Sequence, residues 1–440
     1  MDTTTPDPRT ATRGEIRIER FPAGLDGDRP DARTQAWFEA VSFGFHDGAA
    51  DPAHDAEFTR AYMADGRTLW GAYDDTERPG VWDPEVPVAT YATLENDLNV
   101  GAGRMLPTHQ VTAVTVRATH RRRGILRAMM TEDLRRAASR GLAMAALTAS
   151  EATIYGRFGF GVATFTREVE VDVRERFGLR SPAVGSVEVA DPASMLELAP
   201  EIFARFHGRT TGSVGRQHGY AKRASGRWGG DKPEVDKAVR VAVHHDAGGR
   251  ADGYASYKFT GWDAKPPTLR IVDLVAASRD AYVELWRYLG AVDLVERVRF
   301  PSAPVEDPLP WSMLDGRGYE VKSVEDVLWL RVLDPVAALS ARPYERDGAA
   351  SLEIVDDLGL AAGRFRVDVA AGRATVERLR DGVAADARVP VDVLGSLYLG
   401  GAGARTLASA GRLPGVDGTG VEALQRLFGT AERPYCITHF

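Results

Sequence analysis

Within residues 110–161 the chain gathers residue types suited to anion binding and proton transfer. A basic turn, Thr119-His120-Arg121-Arg122-Arg123-Gly124, follows a β-branched run at 111–116. It opens a helix that carries Ile125, Met129, Met130 and Leu134 on one face. A helix start offers unpaired backbone N–H groups and the positive end of the helix dipole. Gly124 lets backbone approach a ligand closely, and the three arginines add charge. Such a turn suits a phosphate or pyrophosphate; taken alone, it also fits a solvated basic helix start. The commoner phosphate-loop spacings, GxxxxGKS/T and a helix-opening GxGxxG, are not found at this turn. A second apolar strand, 144–149, ends in Ser150-Glu151. A short helix holding Ile154 and Tyr155 then runs into Gly156-Arg157-Phe158-Gly159-Phe160-Gly161.

The elements that must position this stretch can be read in order. Residues 1–12 are polar, with two prolines, and are expected to be disordered. Residues 34–45 predict a helix with Trp37, Phe38, Val41 and Phe45 on one face, and 51–64 a second helix. Strands are expected at 68–73 and 88–94, so a β-α-α-β-β order leads into the strand, basic turn and helix. The run ERFGLRSPAVGS at 175–186 interrupts the pattern and marks a boundary. Beyond it come a strand at 187–189, a helix at 192–206, and strands at 240–244, 251–259 and 269–275. A helix with Leu285, Trp286 and Leu289 follows. This second series can be laid on the first, with Ala276 on Ala118, Arg279 on Arg121 and Tyr282 on Gly124. A tyrosine in place of the glycine would put a ring in a phosphate's path, so the second copy should lack a working anion loop. Residues 208–233, rich in Gly, Arg, Lys and Ser, read as a long surface loop. A third unit starts near Asp334, with strands at 352–355, 363–369 and 375–378. Helices are expected at 391–398 and 421–428. Gly400-Gly401-Ala402-Gly403 reads as a helix stop rather than a ligand loop.

Composition sets outer bounds. A chain of 440 residues should hold two or three domains, each able to bury a core. The net charge of −7 argues against nonspecific nucleic-acid binding and favours cationic partners. The lone cysteine, Cys436, excludes an intrachain disulfide framework and a Cys-rich metal site, and no metal is expected. The N-terminal residues lack an apolar h-region, and no run approaches ~18 apolar residues. A cytoplasmic protein without a membrane span is therefore expected.

The central stretch resembles a known family. Arg121-x-x-Gly124 after a strand resembles the R/Q-x-x-G-x-G/A pyrophosphate loop of GNAT-superfamily N-acetyltransferases, with Leu126 where the general pattern has Gly or Ala. The longer strings THRRRGILRAMM and AALTASEATIYGRFGFG resemble the Eis (enhanced intracellular survival) family of actinobacterial acetyltransferases. The richness in Ala, Gly, Arg and Asp agrees with a GC-rich actinobacterial genome. The resemblance implies an α/β (α+β) chain of two GNAT-like folds in tandem plus a sterol-carrier-protein-like domain. Residues 1–176 would be the N-terminal GNAT domain with the acetyl-CoA site. Residues 177–333 would be a degenerate GNAT-like domain, and 334–440 the carrier-like domain, whose tail reaches the active site.

The resemblance also implies roles. Acetyl-CoA would be the donor, held by Val114, Thr115, Val116, Arg121, Arg122, Arg123, Gly124, Ile125, Leu126, Ser150 and Glu151. Val114 and Val116 would offer backbone to its pantetheine arm. Tyr155 would give its phenolic proton to sulfur; the alternative for Tyr155 is an ordinary packed aromatic. The α-carboxylate of Phe440 would take the amine's proton. A free α-carboxyl has a pKa of about 3.3–3.7, so it would need desolvation or a water relay. Glu151 acting through water is the alternative base, unless it only caps the short helix. Phe43, Phe45, His46, Asp47 and His439 would line the acceptor side, although Phe43 and Phe45 also fit a core role. The implied activity is multi-site acetylation of aminoglycosides, an antibiotic-resistance function, on small-molecule amines. A lysine Nε-acetyltransferase is the alternative enzyme. A non-catalytic coenzyme A or lipid-binding protein is the alternative class. The implied assembly is a homohexamer built from trimers, with neither nucleic acid nor membrane as partner.

Overall fold

The computed structural model describes residues 16–48, 51–76, 79–230, 232–263, 265–380 and 382–440. The disorder expected of residues 1–12 lies outside them. Two compact units divide the chain. One runs to Leu94 and resumes over Thr112–Glu132; the other comprises Glu95–Val111 and Asp133–Phe440.

The first unit holds β1 (Ile16–Pro22), β2 (Leu25–Asp26), β3 (Arg29–Pro30), α1 (Ala32–Gly44), α2 (Pro52–Ala64) and β4 (Thr68–Asp74). It also holds the start of β5 (Ala89–Gly101), the end of β6 (Arg104–Val116) and the start of α3 (Ile125–Ser139). Strand β4 pairs antiparallel with β1 and β5. Asp31 starts α1 by accepting from the Thr34 N–H at 2.7 Å, and Asp51 starts α2 by accepting from the Ala53 N–H at 2.9 Å. Trp37, Phe38, Leu69 and Ala92 pack with Phe21 as a core. The Trp37 indole N–H donates to the Trp70 carbonyl at 2.9 Å. Within β6, Ala113 has φ +50. A non-glycine residue there costs on the order of 1–2 kcal/mol. The Thr90 hydroxyl donates to the Ala113 carbonyl at 2.9 Å and so helps hold this kink.

The second unit continues with β7 (Met144–Thr148), α4 (Ala152–Tyr155), β8 (Gly161–Val162), β9 (Phe165–Asp172), β10 (Ser186–Ala190), α5 (Met195–Arg209) and α6 (Gly219–Ala224). Then come β11 (Arg240–His245), β12 (Ala251–Phe259), β13 (Thr268–Ala276), α7 (Arg279–Gly290), β14 (Arg297–Pro304), α8 (Leu309–Ser312), β15 (Tyr319–Asp326) and β16 (Leu328–Val332). The last part holds α9 (Pro335–Ala341), β17 (Gly348–Val355), β18 (Gly363–Ala370), β19 (Arg373–Arg378), β20 (Ala387–Pro390), α10 (Val391–Tyr398), α11 (Ala404–Ser409) and α12 (Gly418–Phe428). Thr108–Val111 of β6 pair in parallel with Met144–Leu147 of β7. Strand β16 pairs antiparallel with β7 on one side and β8 on the other. A seven-stranded sheet has the order β10-β11-β12-β13-β14-β9-β15, and a four-stranded sheet the order β19-β18-β17-β20. Sheet membership therefore does not follow chain order. Strand β9 leaves the β7–β8 neighbourhood to pair with β14 and β15, while β16 comes back to lie between β7 and β8.

Two glycines let α10 rest on those strands. A Cβ on Gly161 would stand 1.8 Å from the Asp392 carbonyl, and one on Gly395 would stand 2.2 Å from the Leu330 carbonyl. Beneath this contact Arg331, fully buried, donates to both carboxylate oxygens of Asp356 at 2.8 and 2.9 Å and to the Val332 carbonyl at 2.7 Å.

Two sequence expectations are corrected. Of the 208–233 stretch, residues 212–228 are not a surface loop: they form α6 and bury Ser213, Val214, Gln217, Ala224, Ser225 and Trp228. Its carbonyls find internal donors, the Asn96 amide to Gly215 at 2.9 Å and the Ser256 hydroxyl to Ala224 at 2.7 Å. Small and polar residues serve there for close packing and internal satisfaction, not for solvation. The internal repeat also has a different register. β6 ends at Val116 and α3 starts at Ile125, whereas β13 ends at Ala276 and α7 starts at Arg279. The second turn is shorter, so Ser278 precedes its helix as Gly124 precedes α3, and Tyr282 lies one turn inside the helix.

Asp356→Ala removes the partner of a buried guanidinium and should cost about 3–5 kcal/mol. Urea unfolding of variant and wild type measures this. A loss under about 1 kcal/mol would show that Arg331 finds another partner at little expense.

Candidate active site

The basic turn lies in the first unit. Ala118–His120 form one 3₁₀ turn, Arg121 is extended, and Arg122 and Gly124 adopt φ +62 and +80. The first turn of α3 carries no acidic residue to compete for its N–H groups. A Cβ on Gly124 would meet nothing within 4 Å, so the space before the helix is open. Arg121 and Arg122 are exposed. Arg123 turns back, its Nη1 donating to Asp74 at 3.3 Å, and His120 Nε2 meets the same carboxylate oxygen at 3.0 Å. Hydrogen bonds from Thr76, then His120 and Arg123, hold the Asp74 carboxyl well below its usual range against the opposing effect of burial. Burial, with Arg123 and Arg117, pushes the His120 imidazole down despite Asp74. This leaves Arg121, Arg122 and the backbone N–H groups of the turn for an anion. The arrangement fits a pyrophosphate.

Val114, Thr115 and Val116 follow the kink at Ala113 on β6. The Thr115 hydroxyl is taken by Thr90 at 2.7 Å, so this residue offers backbone alone. Ile125 is buried and Leu126 half-buried at the start of α3; both contribute N–H groups to its first turn.

At the end of α1, Phe43 is 50% and Phe45 45% exposed, which rules out a core role for either. His46, with φ +62, and Asp47 are exposed beyond them. Phe43 meets Trp82 edge-on at 4.9 Å, and the Arg117 guanidinium lies over the Trp82 ring at 4.9 Å. These three, with Asp74, His120 and Arg123, line a cavity of about 370 Å³. Trp82 and Arg117 escaped the sequence reading, although a lone tryptophan inside Arg-Pro-Gly-Val-Trp-Asp-Pro is a usable signal.

The proton-transfer candidates lie in the second unit. Strand β7 ends at Thr148, and Ser150 and Glu151 follow, both exposed. Glu151 occupies the N-cap of α4 but makes no side-chain capping bond. Tyr155, 5% exposed, ends α4. Burial raises its phenol pKa, partly offset by a hydrogen bond with Ser150, so the proton stays on oxygen past the ordinary range.

The C-terminal tail is tied down residue by residue. The Tyr435 N–H donates to the Thr211 carbonyl at 2.8 Å, and the Thr438 hydroxyl to the Val214 carbonyl at 3.3 Å. The Tyr220 hydroxyl accepts from the His439 N–H at 2.7 Å and donates to its carbonyl at 3.0 Å. At the end, the Thr148 hydroxyl donates to the terminal carboxylate of Phe440 at 3.0 Å. The Phe440 ring packs partly buried against the large core, while His439 is exposed. Tyr220 is itself fixed by Arg216, whose guanidinium lies over its ring at 4.4 Å and pairs with Asp273 at 2.7 Å through each of two nitrogens. Thr148 and Tyr220 carried no sequence signal, because each acquires its role from a tail more than two hundred residues away.

The second copy of the turn has no comparable site. Ser278 caps α7 by accepting from the Ala281 N–H at 3.0 Å, and Asp280 adds negative charge to its first turn. The Tyr282 hydroxyl donates to Asp307 at 2.9 Å. Among the described residues, no group of three or more His, Cys, Asp or Glu could hold a metal, and no helix is long and apolar enough to cross a membrane.

Residues 30–163 match an acetyltransferase (GNAT) domain family and residues 219–332 another of that description. Residues 335–437 match a sterol carrier protein domain. The N-acetyltransferase Eis of Mycobacterium tuberculosis is 35% identical over 394 residues, covering 85% of this chain and 92% of that protein. The chain belongs to the Eis family of GNAT N-acetyltransferases. An uncharacterised N-acetyltransferase of Streptomyces avermitilis is 34% identical over 421 residues, covering 93% and 97% of the two chains. The crystal structure of Eis1 from Mycobacterium abscessus matches at a TM-score of 0.78 and 28% identity, over 97% of this chain and all of that one. The fold class is thus two GNAT domains followed by a carrier-type domain, and the protein is an acetyltransferase that, like other GNAT enzymes, uses acetyl-CoA.

Arg121→Ala combined with Gly124→Asp should cut acetyl-CoA affinity at least tenfold in this Eis-family chain, because the pair removes one exposed cation and places a carboxylate at the helix start. Calorimetry of the folded variant tests this, and unchanged affinity would remove the turn from the donor site.

Proposed function

We propose that this enzyme acetylates amino groups of cationic polyamine small molecules, aminoglycosides among them, at more than one position. The seating of the C-terminus carries the reading. An anionic carboxylate is fixed at the end of β7, the strand that leads on to Ser150 and Tyr155. A cationic amine is the ligand such a group attracts, and the net charge of −7 favours the same partners.

The residues divide the work. The turn at Arg121–Gly124, with the backbone of Val114 and Val116, holds the donor, which when bound supplies the acetyl thioester. The Phe440 carboxylate receives the proton that the acceptor ammonium must shed, directly or through a water, and leaves the amine lone pair free to attack the acyl carbon. Tyr155 Oη keeps its proton at neutral pH and delivers it to the sulfur as the carbon–sulfur bond breaks. The products are an acetamide and a thiol: the second proton lost by nitrogen after attack restores the Tyr155 phenol, and the Phe440 carboxyl releases its proton to solvent, so one proton is set free per turnover. Phe43, Phe45, His46, Asp47 and His439 are assigned to the acceptor, Ser150 and Glu151 to the donor. The domain division 1–176, 177–333 and 334–440 is supported by the three family matches, and the carrier-type domain acts as the frame for the tail. Aminoglycoside acetylation would make the enzyme an antibiotic-resistance factor of the cytoplasm.

Thiol release from acetyl-CoA over a panel of aminoglycosides, spermidine and a lysine peptide tests the acceptor class. Turnover confined to the peptide would move the enzyme to the lysine-modifying class. With the best acceptor, Tyr155→Phe should lower kcat by about a hundredfold or more with little change in KM. Deletion of His439 and Phe440 should remove most activity yet leave acetyl-CoA binding intact. Full turnover by the truncated chain would discard the terminal carboxylate and leave Glu151 as the better base.

The family resemblance further supports a homohexamer. Light scattering should find a species near six times the mass of the chain, and a stable monomer at micromolar concentration contradicts it.

A further inference from the structure

One hydroxyl holds each of the last two residues. Tyr220 accepts from the His439 N–H at 2.7 Å and donates to its carbonyl at 3.0 Å. Thr148 donates to a terminal oxygen of Phe440 at 3.0 Å, and the Phe440 N–H points back to Thr148 Oγ1 at 3.5 Å. Both hydroxyls therefore meet main-chain groups of the tail, and of the two Thr148 is the one that touches the carboxylate. Burial raises the Tyr220 phenol above its ordinary value, so it keeps the proton it donates.

The place of Thr148 follows from the sheet. Its backbone pairs with apolar Leu328 of β16 on one side. On the other side the ladder between β6 and β7 ends at Val111 and Leu147, one residue earlier. Thr148 is thus the last residue of β7 and the first beyond that ladder. Thr148 and Phe440 are both half-buried rather than sealed. A carboxylate in such a place loses part of its hydration, and a hydrogen bond donated to it offsets that loss.

We propose that Thr148 is a positioning residue, whose hydroxyl orients the Phe440 carboxylate through one oxygen and presents the other to the acceptor ammonium. The proposal rests on the Phe440 carboxylate as the base, as set out above. A hydroxyl on a paired strand is a fixed donor, whereas a chain end held by its ring alone keeps torsional freedom at the carboxylate. Proton transfer needs the base within hydrogen-bond reach of the ammonium, so that freedom lowers the rate. A donated hydrogen bond also favours the charged form of a carboxylate, so the base stays ionised to lower pH than it would without Thr148. The charged and titratable groups on the neighbouring elements are Tyr220, Arg216 and Arg223 around α6, Asp273 on β13, His439 on the tail, and Glu151 and Tyr155 beyond β7. All of them persist when Thr148 alone is changed.

The test follows thiol release by the full chain as a function of pH, with acetyl-CoA and the fastest acceptor among kanamycin, spermidine and a lysine peptide. Thr148→Val keeps the shape of the side chain and removes the hydroxyl. It should lower kcat at least about tenfold, leave the acetyl-CoA KM unchanged, and move the acidic limb of kcat up by about one pH unit, because the carboxylate then ionises only at higher pH. Thr148→Ser restores the hydroxyl and should bring kcat back to within about threefold of wild type, with the limb in its original place. Tyr220→Phe releases His439 without touching the carboxylate, so it should lower kcat and leave the limb where it is. Wild-type kcat in Thr148→Val, a serine variant as slow as the valine variant, or a limb that moves no further in Thr148→Val than in Tyr220→Phe overturns the proposal. Thr148→Ala also lacks the hydroxyl and decides the matter if the valine variant does not fold. Full turnover by the chain lacking His439 and Phe440 would instead overturn the base reading itself, whereas an inactive truncated chain beside an unaffected Thr148→Val enzyme discards Thr148 alone.

Discussion

Backbone hydrogen bonds from Leu328–Val332 to β7 on one side and to β8 on the other fix where β7 ends. The position of Thr148, and with it the terminal carboxylate, depends on that ladder. β16 is the neighbour that completes β7 opposite β6; without it β7 would present an unpaired edge there. The strand is held by the buried Arg331–Asp356 pair and by α10, which approaches because Gly161 and Gly395 carry no side chain. A GNAT sheet is completed here by a segment that directly precedes the carrier-type domain. The carrier-type domain is correspondingly not an appendage: its helix α10 packs directly on β8 and β16.

The last six residues are tied down along their length. Termini are commonly frayed, because few contacts repay their entropy. Here the hydrogen bonds of Tyr435, Thr438, His439 and Phe440 are spaced along the last six residues, and the Phe440 ring adds apolar burial. The partners come from three places: residues 211–220 of the central segment, Thr148 of β7, and the large core. Tyr220 packs under Arg216, and Asp273 on β13 meets Arg216 with two oxygens. At the start of α7 in the central segment, the Ser278 hydroxyl accepts from the Ala281 N–H and the Tyr282 hydroxyl donates to Asp307.

The two strand-to-helix turns differ in short-range geometry. Eight residues separate β6 from α3 and include two in the left-handed region; two residues separate β13 from α7, and one of them caps the helix. A helix start capped by a serine and carrying an aspartate in its first turn is a poor place for a phosphate. Within the first turn, Arg123 also has an internal partner. It is committed to Asp74, so the three consecutive arginines are not three equivalent ligands.

The sequence by itself determined what local chemistry fixes. The apolar periodicity of α3, the β-branched run of β6, the helix pair at 32–64, the Gly–Arg turn and the family strings THRRRGILRAMM and AALTASEATIYGRFGFG were all legible, because each depends on neighbours within a few residues. Only the tertiary structure decided the rest. The return of β16 to β7, the burial of 212–228 around α6, the anchoring of Phe440 by Thr148 and of His439 by Tyr220, and the meeting of Gln110 with Gln217 join residues about a hundred to three hundred positions apart. No periodicity in a single chain encodes such pairings. They follow from which surfaces are left to bury, and which polar atoms are left to satisfy, once the local elements have formed.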